Sequence, residues 1–244
     1  MPLSDDEKLR YARQLGIPSW GEEAQARLGK ATVFVAGAGG LGAPVLLYLA
    51  AAGVGHLRIC DHDRVEMTNL NRQLLHNVER LGQPKVVSAA RTVAALNPDI
   101  RVTPLDQSLT PENSEELIGD ADLLIDCLDN LPARHALNRV AVRKGLPLVH
   151  GGIAGYQGQL AFLHPPHTAC LACILPAGID AEPVMVLGAT AGVIGSMQAL
   201  EGLKYLIGMG SSLLECMLFW DGRHQRFDHI RLRRSRHCRV CGGS

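Results

Sequence analysis

A glycine-rich hexapeptide near the start of the chain constrains the fold more than any other segment. It reads Gly-Ala-Gly-Gly-Leu-Gly over residues 37–42 and matches the pattern G-x-G-x-x-G at Gly37, Gly39 and Gly42. The uncharged residues around it predict a buried strand before the turn and a buried helix after it. This order is typical of a phosphate-binding turn, because glycine allows the backbone to approach a phosphate and the helix N-terminus attracts an anion.

The uncharged run that contains this turn, residues 31–55, is long enough to cross a bilayer. Six glycines and Pro44 interrupt it, however, so we predict a strand, a turn and a helix instead of a membrane span. The first residues are polar and acidic and lack an apolar signal core, so we expect a cytoplasmic protein without a membrane partner.

The charges balance, with 24 basic and 24 acidic residues. A net charge of zero gives no general attraction to nucleic acid, and we expect no nucleic-acid partner. We interpret the balance as an average over a basic phosphate site and an acidic remainder.

Predicted strands and helices alternate through the first 150 residues, which indicates an α/β fold with a doubly wound, mostly parallel, Rossmann-like sheet. The strands are expected at 31–36, 56–60, 100–105, 122–126 and 147–150, and the helices at 41–52, 84–96, 112–118 and 132–144. Beyond residue 151, strands at 159–163, 214–220 and 227–232 are expected to extend the sheet in antiparallel fashion, with a helix at 191–207. We expect a single domain over 1–244, made of one or two N-terminal helices (1–30), a nucleotide-binding core (31–150) and a C-terminal part (151–244).

Charged residues follow the predicted strands at the edge where such sheets bind ligands. Asp61 comes 19 residues after Gly42, where a carboxylate binds ribose hydroxyls. Arg72 and Lys85 are candidates to converge on a triphosphate, although a lone basic residue is more often a surface charge. Asp129 suits Mg²⁺, or it caps the next helix together with Asn130; the residues leave both possibilities open.

Four of the seven cysteines form two C-x-x-C pairs, Cys170 with Cys173 and Cys238 with Cys241. Four thiolates at this spacing predict a closed structural zinc site that pins the C-terminal tail to the core. Redox chemistry or unliganded thiols are the alternative. The other three cysteines, Cys60, Cys127 and Cys216, lie in apolar contexts and are predicted to be core residues.

The segment from Gly37 to Lys85, together with Cys-Leu-Asp-Asn at 127–130, resembles the MoeB/ThiF/HesA adenylyltransferases of the ubiquitin-activating-enzyme superfamily. It is most similar to those that act on molybdopterin-synthase sulfur carriers. The string Asn-Leu-Asn-Arg-Gln at 69–73 is the most specific part of the resemblance. Further matches lie at 10–14, 82–85, 192–199 and the terminal cysteines, so the resemblance covers almost the whole chain.

The resemblance implies a role for each matching residue. Asn69, Arg72 and Lys85 contact the phosphates of ATP, and Asp129 binds Mg²⁺. Arg13 reaches into the partner subunit's ATP site, which requires a homodimer. The implied catalytic set is Arg13, Arg72, Lys85 and Asp129. The implied nucleotide-binding set is Gly37, Gly39, Gly40, Gly42, Asp61, Asn69, Arg72, Gln73, Lys85, Asp129 and Asn130.

The implied reaction is the ATP-dependent adenylation of the C-terminal glycine carboxylate of a ubiquitin-like sulfur carrier that ends in Gly-Gly. Sulfur then converts the acyl-adenylate into a thiocarboxylate, for molybdopterin, thiamin or related biosynthesis. Many relatives carry a cysteine in the loop before the 192–199 segment, but here Ala181 stands at that position. We therefore expect an external sulfur donor.

Three other interpretations are open to the sequence. The same chemistry on a tRNA-base carboxylate is one. A second is an NAD(P)-binding oxidoreductase, which would share the glycine turn and Asp61 but leaves Arg72, Lys85 and the cysteine pairs unexplained. The third is a non-catalytic scaffold, against which the intact charged set argues.

Overall fold

The computed structural model describes residues 2–175 and 185–242. The strands are β1 (Thr32–Ala36), β2 (His56–Cys60), β3 (Arg101–Leu105), β4 (Leu123–Asp126), β5 (Leu148–Ala154), β6 (Gln157–Leu163), β7 (Cys216–Asp221) and β8 (Arg226–Arg231). The helices are α1 (Asp5–Arg10), α2 (Ala12–Leu15), α3 (Gly21–Leu28), α4 (Gly42–Ala52), α5 (Lys85–Leu96), α6 (Ser114–Ile118), α7 (Leu131–Lys144), α8 (Leu171–Ile174) and α9 (Gly188–Leu206). Short 3₁₀ turns lie at Met67–Asn69 and Val78–Arg80.

The eight strands form one sheet in the order β3-β2-β1-β4-β5-β6-β7-β8. The first five strands in this order are parallel, and β6, β7 and β8 extend the sheet in antiparallel fashion. The predicted fold class is therefore confirmed. The strand order reverses between β1 and β4, and in sheets of this kind ligands bind outside the carboxyl ends of the strands at that point.

Helices cover both faces of the sheet. One apolar core joins the sheet to α3, α4, α5 and α9, and a second joins it to α6, α7 and α8. The central strands β1 and β4 contribute side chains to both cores, which explains why they read as unbroken apolar runs instead of alternating ones. The uncharged run 31–55 is thereby divided into β1, the glycine turn and α4.

Most boundaries agree with the sequence prediction to within three residues, and the largest difference, at the end of β5, has a physical reason. The strand expected at 147–150 continues to Ala154, because Gly151 and Gly152 pair with Leu160 and Gln159 instead of ending the strand. A Cβ at Gly151 would lie 2.4 Å from the side chain of Gln198, so the glycine permits close packing against α9. The N-terminal segment forms three short helices where one or two were expected.

Within residues 2–175 and 185–242, no helix is long and apolar enough to cross a membrane. Ala181, which stands where many relatives carry a loop cysteine, lies outside the described residues.

Candidate active site

A cleft of about 830 Å³ opens at the carboxyl ends of β1 and β4, where the strand order reverses. Its size is in the range of small-molecule sites. The sequence-predicted residues that line it are Gly37, Gly39, Gly40, Asp61, Arg72, Gln73, Lys85, Asp129 and Asn130. The cleft also extends over β5 and β6, where its lining is mainly small and amide-bearing residues: Gly152, Ile153, Ala154, Gln157, Gly158 and Gln159.

Backbone packing requires glycine at two positions of the turn, whereas a side chain at Gly39 would make only ordinary contacts with protein atoms. Gly37 has φ +100°, and a Cβ there would lie 2.6 Å from the Cys127 carbonyl oxygen. A Cβ at Gly42 would lie 2.1 Å from the carbonyl oxygen of Gly37, so Gly42 closes the turn without lining the cleft. A Cβ at Gly39 would meet nothing closer than Gln73 Nε2, at 3.6 Å.

The peptide groups of Ala38 are held from both sides, which fixes the course of the turn. Asp61 Oδ2 accepts a 2.8 Å hydrogen bond from the Ala38 N–H, and His76 Nε2 donates to the Ala38 carbonyl at 3.0 Å. Burial lowers the pKa of His76, which keeps its ring neutral. Asp61 thus supports the turn while its carboxylate still lines the cleft. Sequence reasoning missed His76, since no motif or periodicity pointed to it.

Two of the predicted phosphate-binding side chains, Arg72 and Lys85, line the cleft. Lys85 is 6% exposed at the start of α5, and its Nζ donates to Asp63 Oδ2 at 2.7 Å. Although burial alone would raise the Asp63 pKa, the hydrogen bond and the charge of Lys85 hold it below its usual range. Arg72 Nη1 donates to the Thr68 carbonyl and to Asn71 Oδ1, which orients the guanidinium.

The other residues of the Asn-Leu-Asn-Arg-Gln string have different surroundings. Asn69 is buried outside the cleft lining, where its Oδ1 accepts from the Glu66 N–H and caps a 3₁₀ turn. Gln73 lines the cleft and is 4% exposed, and its Oε1 has no hydrogen-bond partner within the described residues. A buried, unpaired amide oxygen at a cleft wall is a group that a ligand can satisfy.

The segment after β4 shows which of Asp129 and Asn130 caps the next helix. Asn130 caps α7, since its Oδ1 accepts from the Ala133 N–H at 3.0 Å. In the part of the chain that the structure describes, the Asp129 carboxylate has a single hydrogen bond, a long one of 3.4 Å from Asn130 Nδ2. The carboxylate therefore remains available to a cation, and carboxylate and phosphate oxygens are the ligands that Mg²⁺ prefers.

Arg13 lies on α2, exposed and away from the residues that line this chain's cleft. Its implied role therefore depends on a second copy of the chain.

A buried polar cluster lies directly beneath the cleft, and the sequence analysis missed it. Asp126 and His150 are 0% exposed and face each other in the register of β4 and β5. His150 Nδ1 donates to Asp126 Oδ2 at 2.7 Å, and Arg134 Nη1 lies 3.5 Å from the same oxygen. Burial alone would raise the Asp126 pKa, but Arg134 and His150 lower it; burial and Arg134 lower the pKa of His150. An acidic residue at the carboxyl end of a buried strand was the available signal.

The cleft is not the basic region that the charge balance suggested. Its lining includes three basic residues (Arg72, Lys85, Arg134) and three acidic ones (Asp61, Asp63, Asp129). The basic excess lies instead in residues 222–242, which hold seven arginines and one acidic residue, against 17 basic and 23 acidic residues in the rest of the chain. The interpretation of a basic phosphate site was wrong because cleft carboxylates neutralise the cleft cations.

The two C-x-x-C pairs converge between α8 and the C-terminal tail. The Sγ–Sγ distances are 3.9 Å for Cys170–Cys173, 3.7 Å for Cys170–Cys238 and 3.5 Å for Cys173–Cys241. A tetrahedral zinc with Zn–S bonds of about 2.3 Å places its sulfurs ~3.8 Å apart. The four thiols therefore have the chemistry and the spacing of a metal site.

Neighbouring groups prepare this cluster for a cation. Asn138 on α7 donates its Nδ2 to Cys170 Sγ at 3.7 Å, while its Oδ1 accepts from the Leu171 N–H. Burial raises the pKa of Cys170 and of Cys173. Burial alone would also raise the Cys238 pKa, but the N–H groups of Cys241 and Val240 lower it to about 7. A thiol that is partly ionised at neutral pH favours metal binding.

The remaining thiols are poor nucleophiles. Cys60 and Cys127 are buried, and Cys216 on β7 is half-buried. Burial and the nearby Asp61 raise the pKa of Cys60 to about 12, and burial together with Asp126 raises that of Cys127 well above its usual value. Although both line the cleft, they are protonated at neutral pH.

A sequence profile of the ThiF family matches residues 11–241. The chain belongs to the ThiF family. It is 41% identical over 253 residues to the sulfur carrier protein adenylyltransferase of Thermus thermophilus, covering 99% of this chain and 93% of that protein. It is 42% identical over 247 residues to the adenylyltransferase and sulfurtransferase MOCS3 of Sus scrofa, covering 98% of this chain and 54% of that protein. This ThiF-family chain thus spans about half the length of the MOCS3 relatives.

Solved structures share the fold of this ThiF-family chain. The structure of E. coli MccB with ATP matches with a TM-score of 0.86 and 22% identity, covering 98% of this chain and 75% of that one. The structure of PaaA matches with a TM-score of 0.82 and 23% identity, covering 95% and 75%. At these identities the likeness shows the fold alone.

Proposed function

We propose that the protein adenylates the C-terminal glycine carboxylate of a ubiquitin-like sulfur carrier, using ATP. One observation carries this proposal: the cleft at the point where the strand order reverses has two ends. One end has residues suited to a triphosphate, and the other lies over β5 and β6. The first end has the glycine turn, Arg72, Lys85 and Asp129, and the second is lined mainly by small and amide-bearing residues. The two ends suit a nucleotide and the extended tail of a protein substrate.

The reaction brings a carboxylate to the α-phosphate of ATP, so two anions must approach each other. The carboxylate oxygen attacks the α-phosphorus and pyrophosphate leaves, which gives an acyl-adenylate. Arg72 and Lys85 stabilise charge on the phosphates, and because both are already oriented by hydrogen bonds, little reorganisation is needed. Bound phosphates would compete with Asp63 for the ammonium group of Lys85.

The donor set fits both metals that we propose. Asp129 is the residue that would hold Mg²⁺, and when bound the ion neutralises charge on the ATP phosphates. This neutralisation matters because the lining charges of the cleft cancel. Cys170, Cys173, Cys238 and Cys241 would hold a structural Zn²⁺ that fixes the tail.

The relatives support a carrier protein over a tRNA base as the carboxylate donor. The Thermus thermophilus protein named a sulfur carrier protein adenylyltransferase is matched over 93% of its length. The oxidoreductase interpretation has no comparable support, because ThiF-family membership covers the residues that it left unexplained.

The sulfur that converts the adenylate into a thiocarboxylate comes, on this proposal, from an external donor. The sequence has no cysteine between Cys173 and Cys216, and the cleft thiols Cys60 and Cys127 are held in the protonated form. A covalent intermediate on these two side chains is thereby disfavoured.

The active unit is proposed to be a homodimer in which Arg13 of one subunit enters the cleft of the other. Exposed apolar side chains in the segment next to Arg72, namely Met67, Leu74, Val78 and Leu81, offer surface for such contact. Mixing R13A with K85A protein tests this arrangement: subunit exchange should create a mixed dimer with one complete site, and activity should return. Two inactive preparations that stay inactive after proven exchange would contradict it.

ATP–pyrophosphate exchange with a panel of Gly-Gly-ending carriers tests the proposed function. Exchange should require ATP, Mg²⁺ and one or more carriers, and it should be lost in K85A but kept in R91A, which changes an exposed residue of the same helix. Exchange with a tRNA-base carboxylate alone, or with no carrier in the panel, would overturn the proposal.

A further inference from the structure

The cluster beneath the cleft connects four secondary-structure elements through a chain of directed hydrogen bonds. Its centre is the fully buried pair of Asp126 on β4 and His150 on β5. Arg134 joins it from the first turn of α7 through its ion pair with Asp126, and Gln159 joins it from β6 through a hydrogen bond to His150. Arg134 and Gln159 also line the cleft, so the cluster reaches the site at both ends.

The hydrogen bonds of His150 determine which of its ring nitrogens carries the proton. A carboxylate only accepts hydrogen bonds, so the 2.7 Å contact with Asp126 places a proton on Nδ1 of the ring. Nε2 then accepts from the Gln159 amide at 3.1 Å, as the neutral ring requires. Asp126 is therefore oriented from below, and its Oδ1 is directed to the Leu128 N–H, which donates to it at 3.0 Å.

Arg134 binds the second peptide group of Leu128, its carbonyl. Its Nη2 donates to the Leu128 carbonyl, while Nη1 faces Asp126. Both peptide groups of Leu128 are thus bound to the cluster. The next residue, Asp129, has only the long 3.4 Å contact to its side chain within the described residues, so the Leu128 backbone is what fixes the position from which its carboxylate extends.

We infer that Arg134, Asp126 and His150 are positioning residues: they fix the Leu128 backbone so that the Asp129 carboxylate faces the Mg²⁺ and phosphates of bound ATP. The inference rests on the proposed function for the identity of the ligand. Burying three such groups costs desolvation free energy that an apolar cluster would avoid, so their orientation at a cleft edge indicates a functional use. Groups that orient a metal ligand typically change metal affinity or activity by about 10–100-fold when replaced.

Equilibrium binding of ATP, measured by isothermal titration calorimetry without any carrier, tests this inference. R134K keeps a positive charge beside Asp126 but loses the paired donors that reach Leu128. We expect its affinity for ATP with excess Mg²⁺ to fall by about 10–100-fold, and its affinity for ATP with EDTA to stay at the wild-type value. R139K, at an exposed position of the same helix, is the matched control and should bind like wild type.

A second pair of variants keeps the test decisive if R134K folds poorly. H150Q retains a donor for Asp126 and an acceptor for Gln159, whereas H150L retains neither. H150Q should preserve the Mg²⁺-dependent part of ATP binding, and H150L should lose it while circular dichroism shows an unchanged fold. In wild type, ¹⁵N NMR should show the His150 proton on Nδ1.

Two results would overturn the inference: wild-type Mg²⁺-ATP binding in R134K and H150L, or an equal loss with and without Mg²⁺. Because no carrier is present, failure of the carrier reaction would leave this test unaffected. Conversely, these variants could activate the carrier normally and bind Mg²⁺-ATP like wild type. That result would reject the positioning role and leave the proposed function standing.

Discussion

Individual glycines of the 37–42 turn have separable roles. A Cβ at Gly42 would lie 2.1 Å from a backbone carbonyl oxygen, which cannot move without opening the turn. A Cβ at Gly39 would make only ordinary contacts with protein atoms, but it would occupy space in the cleft. The same motif therefore contains one glycine for packing and another for the ligand.

The substitutions G42A and G39A should separate stability from binding. G42A should lower the free energy of unfolding by at least about 1–3 kcal/mol, because the new methyl group overpacks the turn. G39A should unfold like wild type in a thermal melt yet bind ATP weakly in a calorimetric titration. Equal melting temperatures for all three proteins, or unimpaired ATP binding by G39A, would show that the turn does not work in this way.

The cleft thiols give a second prediction for single residues. Because the raised pKa values keep Cys60 and Cys127 protonated, brief alkylation of the zinc-loaded protein at pH 7.5 should leave both unmodified in a mass spectrum. Replacement of Cys60 by alanine should likewise leave ATP–pyrophosphate exchange intact. Rapid alkylation of either residue, accompanied by loss of exchange, would point to a thiol intermediate.

At the scale of elements, α7 connects the cleft to the cysteine cluster. Asn130, Arg134 and Asn138 follow one another at intervals of four residues, and such residues lie on one side of a helix. The first caps the helix, the second binds the Leu128 carbonyl, and the third donates to Cys170 Sγ. A single helix therefore supports both sites.

The substitution N138A should weaken zinc binding by about 10–100-fold, because it removes the donor to Cys170 and the acceptor for the Leu171 N–H. Competition with a chromogenic chelator measures the affinity. R139A changes the neighbouring exposed residue and serves as the control. An unchanged zinc affinity in N138A would mean that the hydrogen bonds from α7 do not contribute to zinc binding by the four thiolates.

The sequence predicted helices and strands well where the spacing of apolar residues agreed with the positions of glycines at turns. It mistook Gly151 and Gly152 for the end of a strand, because the Gln198 side chain that requires a glycine there comes from α9, remote in sequence. It could not separate Asn69 from Arg72 by role, since only the three-dimensional structure distinguishes a turn cap from a cleft side chain. The pairing of Asp126 with His150 could not be predicted for the same reason, although the position of Asp126 at the end of a buried strand was visible in the sequence.

At the scale of the whole molecule, the cysteine cluster holds a C-terminal segment that repels itself. Residues 232–242, which follow β8, carry four arginines and no acidic residue, so we expect this tail to lose its position beside α8 when no metal binds the four thiols. The parallel core from β1 to β4 has its own apolar contacts and does not depend on the tail.

Zinc removal by a chelator should therefore unfold the tail locally. Hydrogen–deuterium exchange should rise in residues 232–242 and around α8, while β1 and β4 keep their protection. Restoring zinc should reverse the change. Uniform loss of protection over the sheet, or no change in the tail, would contradict this division of the molecule.

The central claim is that a carrier carboxylate attacks the α-phosphate of ATP in this cleft. A single turnover with a carrier labelled with ¹⁸O at its terminal carboxylate, followed by sulfide, tests it most directly. Attack at the α-phosphorus transfers one carboxylate oxygen to the nucleotide, so mass spectrometry should find ¹⁸O in the released AMP and a thiocarboxylate on the carrier. Unlabelled AMP, or ADP with labelled phosphate, would contradict the claim.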